Sequence, residues 1–384
     1  MTLRLLHLSD LHLDRAFAGV GAYGDVAQRR REGLRHALQL AGQAAIDRGC
    51  DAVTIGGDLY EAEHSGPQTG AFLAALFQSW RPLRVFLVAG NHDPYMPGSL
   101  HQRTEWPENV HVFTENELRP VALGEGVTLW GLSHRDPAWM GDPLAAPPVG
   151  AEGGVHIALF HGAELGSRPR NKSIHGPFHA SRIRELGFSL ALCGHYHRRR
   201  LDAATGLVYP GSPEPLTFEE EGERGPVVVE VGAGGAIRLE GLTLNRWHAR
   251  RVDCDVDGAQ TAAEVLDRVR ANSLEALRGL PGERSMLRLT LRGELPVEAA
   301  VDGGVVEAAA HDVTGAGVVR IRDLTRAAVD VEAAAADPTT RGEFTRSMLA
   351  ARTAAEGDED EQALIDDALR YGLQALSGVD VGLR

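Results

Sequence analysis

Residues 3–12 read LRLLHLSDLH: a short, largely apolar run, then a serine, then an aspartate and a histidine two positions apart. An apolar run of this length, stopped by polar residues, reads as a buried strand. Asp10 and His12, at its end, are of the types that bind metal ions. The arrangement recurs along the chain. DAVTI (51–55) runs into Gly-Gly-Asp58, and RVFLVA (84–89) into Gly-Asn91-His92-Asp93. VHIALF (155–160) runs into His161, and FSLALC (188–193) into Gly-His195-Tyr-His197. Five strands therefore place oxygen or imidazole ligands just beyond their C-terminal ends. One His-x-His pair in a chain with 16 histidines means little; five such turns in order are a pattern.

The segments between these strands supply the covering helices. Leu34, Ala37, Leu38, Ala41 and Ala45 have helical spacing between Asp25 and Arg48, and AFLAALFQSW (71–80) reads as a second helix. Further strands are expected at 110–113, 127–132, 206–209, 226–231 and 236–242, the last two joined by a GAGG turn (232–235). This β-α-β order predicts an α/β core with strands covered on both faces. Ligands in such sheets converge in the crevice beyond the strand ends.

Carboxylate, amide oxygen and imidazole without thiolate suit manganese, iron or zinc in hydrolysis. Asp58 is the natural bridging carboxylate between two ions. Asp10, His12 and His197 are assigned to one ion, and Asn91, His161 and His195 to the other. His92 is then free to protonate a leaving alkoxide as general acid. If residues 195–197 stay extended, both histidines share a face. Arg198 and Arg199 fall at the rim where a phosphate backbone would pass, and His175 lies in a polar loop bordering that groove.

Composition sets the bounds. The 384 residues predict two or three domains, and 43% apolar residues are ample for a core. Three scattered cysteines support neither a disulfide framework nor a thiolate zinc site, and a cytoplasmic location is expected. No apolar run is long enough to span a membrane. The net charge of −14 weakens a nucleic-acid reading, although half of it lies in residues 330–384. After Arg246 the texture changes to strands at WHARRVDCDV, SMLRLTLRGEL and VVRIRDL, with helices at 260–271 and about 296–309. From Thr339 the chain reads as helical. Its last helix carries an apolar stripe through Leu364, Ile365, Leu369, Leu373 and Leu376, with Gly378 as its cap.

The ordered set DLH, GGD, GNHD, FHG and GHYH resembles the signature of the calcineurin-like metallophosphoesterases. Within that superfamily, DLHLDRAFAG, WPENVHVF (106–113) and YPGSPEPLTFEE (209–220) resemble the bacterial SbcD-type DNA-repair exonucleases, particularly their YhaO-like branch. The resemblance implies a four-layer α/β/β/α sandwich over 1–245, a small α/β cap over 246–335, and a helical partner-binding segment over 336–384. It also implies a manganese-dependent 3′–5′ exonuclease, with endonuclease cleavage as a second activity. The implied partners are DNA, an SbcC-type coiled-coil ATPase and a second copy of the chain. Glu61 stands where family members orient the catalytic histidine, and it implies a positioning carboxylate for His92. Two other readings stay open: a phosphodiesterase or phosphatase for small nucleotides, and a mainly DNA-binding or scaffolding subunit.

Overall fold

The computed structural model describes residues 2–22, 24–146, 153–168, 172–232, 235–328 and 330–376. Residues 233–234 of the expected turn and the Gly378 cap lie outside these. The chain forms two compact units. One comprises Met1–Arg251, Ala276–Arg288 and Thr314–Arg320, and the other Val252–Glu275, Leu289–Val313 and Ile321–Arg384.

The first unit is built on twelve strands: β1 (Leu3–Leu8), β2 (Ala52–Gly56), β3 (Arg84–Val88), β4 (Val110–Val112), β5 (Arg119–Gly124), β6 (Val127–Gly131), β7 (Val155–His161), β8 (Leu190–Gly194), β9 (Arg200–Asp202), β10 (Leu207–Tyr209), β11 (Val227–Val231) and β12 (Ile237–Gly241). They form two six-stranded sheets, ordered β12-β11-β1-β2-β3-β4 and β5-β6-β7-β8-β10-β9. All five ligand-bearing strands run parallel to their ligand-bearing neighbours. Three of them, β1, β2 and β3, lie side by side in one sheet, and β7 and β8 are adjacent in the other.

The two-residue period of a strand explains the layers. Leu5, Phe86 and Val88 of the first sheet meet Leu129, Ile157, Leu159 and Leu192 of the second in one core. The alternate residues Leu6, Leu8, Val53, Ile55 and Leu87 pack with Leu34, Leu38 and Ala41 of helix Gly24–Asp47 and Leu73 and Phe77 of helix Pro67–Ser79. On the other side, Ala158 and Phe160 pack with Ile183 of the short helix Ser181–Glu185. The result is a helix–sheet–sheet–helix sandwich. Helix 67–79 begins four residues before the expected start because Pro67, at its first turn, has a backbone angle already suited to the helix. Strands β5 and β9 were not expected; both are edge strands with little apolar patterning, and β5 also carries a bulge.

In the second unit, Glu294–Leu295 pairs in parallel with Arg326–Ala327. The helix expected near 296–309 runs instead from Gly303 to Thr314. Asp302 sets its start, its Oδ1 accepting the Gly304 N–H at 2.8 Å. Helices Val331–Ala336, Thr340–Ala354 and Glu359–Leu376 follow. Leu369 and Leu373 of the terminal stripe are buried with Ala334, against Phe344 and Met348. Leu364 and Leu376 of the same stripe are 70% and 45% exposed. Among the described residues no helix is long and apolar enough to cross a membrane.

Candidate metal centre

The five strand ends meet because the backbones there have almost no side-chain bulk between them. A Cβ on Gly194 would lie 2.1 Å from the Gly56 carbonyl oxygen, and one on Gly90 would lie 2.7 Å from the Asp58 nitrogen. Only glycine allows these approaches. Just beyond them, Asp10, His12, Asp58 and His195 all have positive φ, of 54°, 49°, 50° and 109°. Such conformations cost a non-glycine residue on the order of 1–3 kcal/mol each and persist only where the surroundings enforce them. Here backbone bonds do so: Asp10 N–H donates to Gly57 O at 3.1 Å, and His12 N–H to Asp58 O at 2.9 Å. Buried Asp93 completes the frame, accepting from the N–H groups of Asp58, Leu59 and Gly90 at 3.0, 2.8 and 2.7 Å.

The expectation of an extended 195–197 segment is not met. Strand β8 ends at Gly194, and the left-handed turn at His195 re-aims the chain before His197. The two histidines meet the same cluster through a bend rather than through strand alternation. Tyr196 turns into the core and donates to Glu164 O at 2.8 Å.

Four imidazoles follow one rule. His12 Nδ1 donates to Glu61 Oε1 and His197 Nδ1 to Glu220 Oε1, both at 2.9 Å. His161 Nδ1 donates to Gly56 O at 2.9 Å and His195 Nε2 to Ser173 O at 3.0 Å. In each ring one nitrogen is anchored, and the other is turned inward. His12 Nε2 and His161 Nε2 lie 3.5 and 3.3 Å from Asp58 Oδ2, and His197 Nε2 lies 3.7 Å from Asp10 Oδ1. Asn91 Oδ1 is 3.1 Å from His161 Nε2. His12 Nε2, His195 Nδ1 and Asp58 Oδ2 are buried without a hydrogen-bond partner. Buried polar atoms are rarely left so, and an anchored imidazole with a bare second nitrogen is how proteins present histidine to a cation. Asp10, His12 and His197 offer donor atoms within 4.8 Å of one another, as do Asp10, Asp58 and His161. The donor set fits divalent metal ions, with Asp58 Oδ2 facing both His12 Nε2 and His161 Nε2.

The electrostatics of His195, His197 and Asp58 agree with that fit, while at His161 a proton is held beside Asp58. Burial drives His195 well below the ordinary histidine pKa, with the His161 charge adding to it, and burial also lowers His197. Both are neutral rings with a lone pair to give. Burial works against charge on Asp58, but the His161, His12 and His92 imidazoles outweigh it and hold the carboxyl well below its usual range. Burial likewise disfavours a charged His161, yet the Asp58 carboxylate beside it raises it to about 9.

The remaining residues take distinct places. His92 is 40% exposed at the edge of the cluster, its Nδ1 donating to Glu61 Oε2 at 2.8 Å. Burial opposes its charge, but the Glu61 bond and the Asp58 charge prevail and raise its pKa above the ordinary value. Glu61 thus serves His12, His92 and also Arg15, whose Nη1 donates to it at 3.0 Å. A groove of about 370 Å³ opens beside His92, lined by Arg15, Phe17, Leu216 and Arg288 among others. The His175 ring stands 5.7 Å from that of His195, centroid to centroid. Arg199 does not reach the cluster. Its guanidinium donates to the carbonyls of Gly225 and Leu242, so it braces the backbone rather than waiting for phosphate. Arg198 lines a separate small cavity with Glu221, Glu223 and Arg224. Sequence reading leaves out Glu220, the His197 anchor, which also accepts from Ser212 Oγ at 2.6 Å. Its only signal was a run of glutamates in PEPLTFEE, with nothing to say which one turns inward.

Residues 3–199 match the family model described as calcineurin-like phosphoesterase. The chain belongs to the calcineurin-like phosphoesterases. Members of this family use divalent metals, and the centre described here makes this chain a metal-dependent phosphoesterase. The metallophosphoesterase YhaO of Bacillus subtilis (strain 168), itself uncharacterized, is 26% identical over 312 residues, covering 77% of this chain and 72% of that protein. The DNA double-strand break repair protein Mre11 of Methanopyrus kandleri is 25% identical over 303 residues, covering 71% of this chain. The match spans 63% of that archaeal protein, less than two thirds of its length.

Proposed function

We propose that this phosphoesterase is a two-metal-dependent DNA nuclease, a 3′–5′ exonuclease whose centre also cleaves internally, acting in DNA end processing in the cytoplasm. The observation that carries it is the doubled donor set around Asp58 with a hydrogen-bonded histidine, His92, at an exposed edge. Two ions, manganese in this reading, supply positive charge to the phosphate and to the attacking water. The chain supplies the rest. Asp10, His12 and His197 would hold one ion, Asn91, His161 and His195 the other, and Asp58 would contribute to both. His92, kept protonated by Glu61, donates its Nε2 proton to the leaving alkoxide. Likeness to Mre11 supports DNA as substrate, and Arg15 and Arg288 line the groove beside His92, ion-paired there with Glu61 and Glu219.

Purified protein with manganese should degrade linear duplex or single-stranded DNA. His92→Ala should lose at least about 100-fold in rate while keeping metal and DNA binding. A wild-type protein that hydrolyses only small phosphodiesters would move the assignment to the small-nucleotide reading, which the limited groove volume and the net charge of −14 favour. A His92→Ala variant that cleaves normally would remove His92 as the acid. The proposal extends to an SbcC-type ATPase bound through the C-terminal helices, where Leu364 and Leu376 stand exposed, and to a homodimer. Co-purification with such an ATPase and light scattering of the pure chain test these two points.

A further inference from the structure

The chain has 39 basic residues, of which 38 are arginines; the single lysine is Lys172. Arginine makes the cationic contacts elsewhere, from ion pairs with carboxylates to stacking on Phe17, Trp247, Phe72 and Phe218. The one position that departs from this usage is at the metal centre. Lys172 Nζ lies 3.1 Å from His197 Nε2, the inward-facing nitrogen of that ring. The next residue, Ser173, is the backbone anchor of His195. Among the described residues no carboxylate is paired with Lys172. An ammonium group is therefore tethered at the centre without an anion of its own.

The rings beyond it form a row. His197 and His12 are 5.1 Å apart by centroid, and His12 and His92 are 4.7 Å apart. Lys172 thus connects to His92 through successive contacts by way of His197 and His12. We infer that Lys172 is a substrate-contacting catalytic residue whose ammonium binds a non-bridging oxygen of the scissile phosphate. The inference rests on the phosphodiesterase reading of the centre, not on DNA as the substrate. It also accounts for the residue type. The His197 lone pair cannot serve the ammonium and a bound cation together, so with the site loaded the ammonium is released to an anion. A compact charge on a flexible stem can make that short move among crowded imidazoles; a planar guanidinium needs room for its fork.

Lys172→Met and Lys172→Arg, loaded with manganese, test this with bis(p-nitrophenyl) phosphate as substrate and inorganic phosphate as inhibitor. Lys172→Met should lose about 100-fold in kcat/KM. Its inhibition constant for phosphate should rise about tenfold, the weight of one charge-assisted hydrogen bond. Lys172→Arg should recover part of both. Calorimetric manganese affinity should not fall in either variant, because the ammonium and the cation compete for His197 Nε2. Because no other side chain carries a primary amine, acylation can be followed at this site by peptide mass spectrometry. Manganese with inorganic phosphate should slow acylation of Lys172 relative to manganese alone. Phosphate that inhibits the wild type without protecting Lys172 would overturn the inference. So would a Lys172→Met variant that binds manganese more tightly yet keeps its turnover, since the ammonium would then be only a stand-in for the cation. A wild type inactive on DNA but active on the small diester would sink the nuclease proposal and leave this test intact.

Discussion

His12 and His197 lean on the carboxylates of Glu61 and Glu220, whereas His161 and His195 lean on the backbone carbonyls of Gly56 and Ser173. The anchoring distances are alike, 2.9 to 3.0 Å. The materials are not. A carboxylate adds charge behind the imidazole and makes it a stronger donor, and one substitution can remove it. A carbonyl is neutral and belongs to the fold, so no side-chain exchange takes it away. One half of the proposed centre is thus electrostatically tuned, and the other is held by main-chain carbonyls, one on β2 at Gly56 and one in the loop at Ser173.

The largest effect should come from the residue common to both halves. Asp58→Asn should lower cleavage by at least about 1000-fold, as loss of a shared charge from a preorganised site does. Calorimetry should show fewer than two manganese ions bound. Two ions held at wild-type affinity would mean that Asp58 is not shared and that the halves are independent.

Next come the two carboxylate anchors, which separate from one another. Glu61→Gln and Glu220→Gln should each weaken one ion by about 10- to 100-fold while the other stays. Excess manganese should restore Glu220→Gln, because His197 is the one proposed metal ligand bonded to Glu220 and the general acid His92 is not. It should not restore Glu61→Gln, which also strips His92 of its partner. The pH profile carries the sign. Glu61 is part of what raises His92 above the ordinary histidine pKa. A general acid works only while protonated, so wild-type activity should fall as pH rises through that raised value. In Glu61→Gln the alkaline fall should shift to lower pH. An unmoved limb would assign it to another group.

The difference between the halves also marks what was legible in the chain. Asp10, Asp58, Asn91, His161, His195 and His197 could be read directly, since each follows an apolar run within a few residues and the glycines beside them advertise close backbone approach. Their anchors could not be read so evenly. Glu61 is near Asp58 in sequence and belongs to a recognisable pattern. Glu220 reaches His197 only after the 212–220 segment folds inward around its carboxylate, with Leu216 N–H donating to it at 2.9 Å. The carbonyls of Gly56 and Ser173 carry no residue-type signal at all. Arg199 shows the opposite failure: its position after GHYH suggested phosphate, but a long flexible cation is placed by the carbonyls available nearby. The covered α/β core followed from the β-α-β order and the four layers from the family resemblance, whereas edge strands β5 and β9 have too little apolar patterning to announce themselves.

The smallest effect is the sharpest check on the comparison. Ser173 contributes its main-chain oxygen to His195, and its side chain is exposed. Ser173→Ala keeps the carbonyl and removes only the hydroxyl. A surface change of this kind is worth no more than about 0.5 kcal/mol, so manganese affinity and turnover should stay within about twofold of wild type. The contrast with Glu220→Gln is then between two anchors of 2.9 and 3.0 Å, one lost with its side chain and one untouched. If Ser173→Ala instead weakened an ion tenfold, the hydroxyl would be acting on the centre. The carbonyl-held half would then be as open to side-chain tuning as the carboxylate-held one, and the distinction between them would fail.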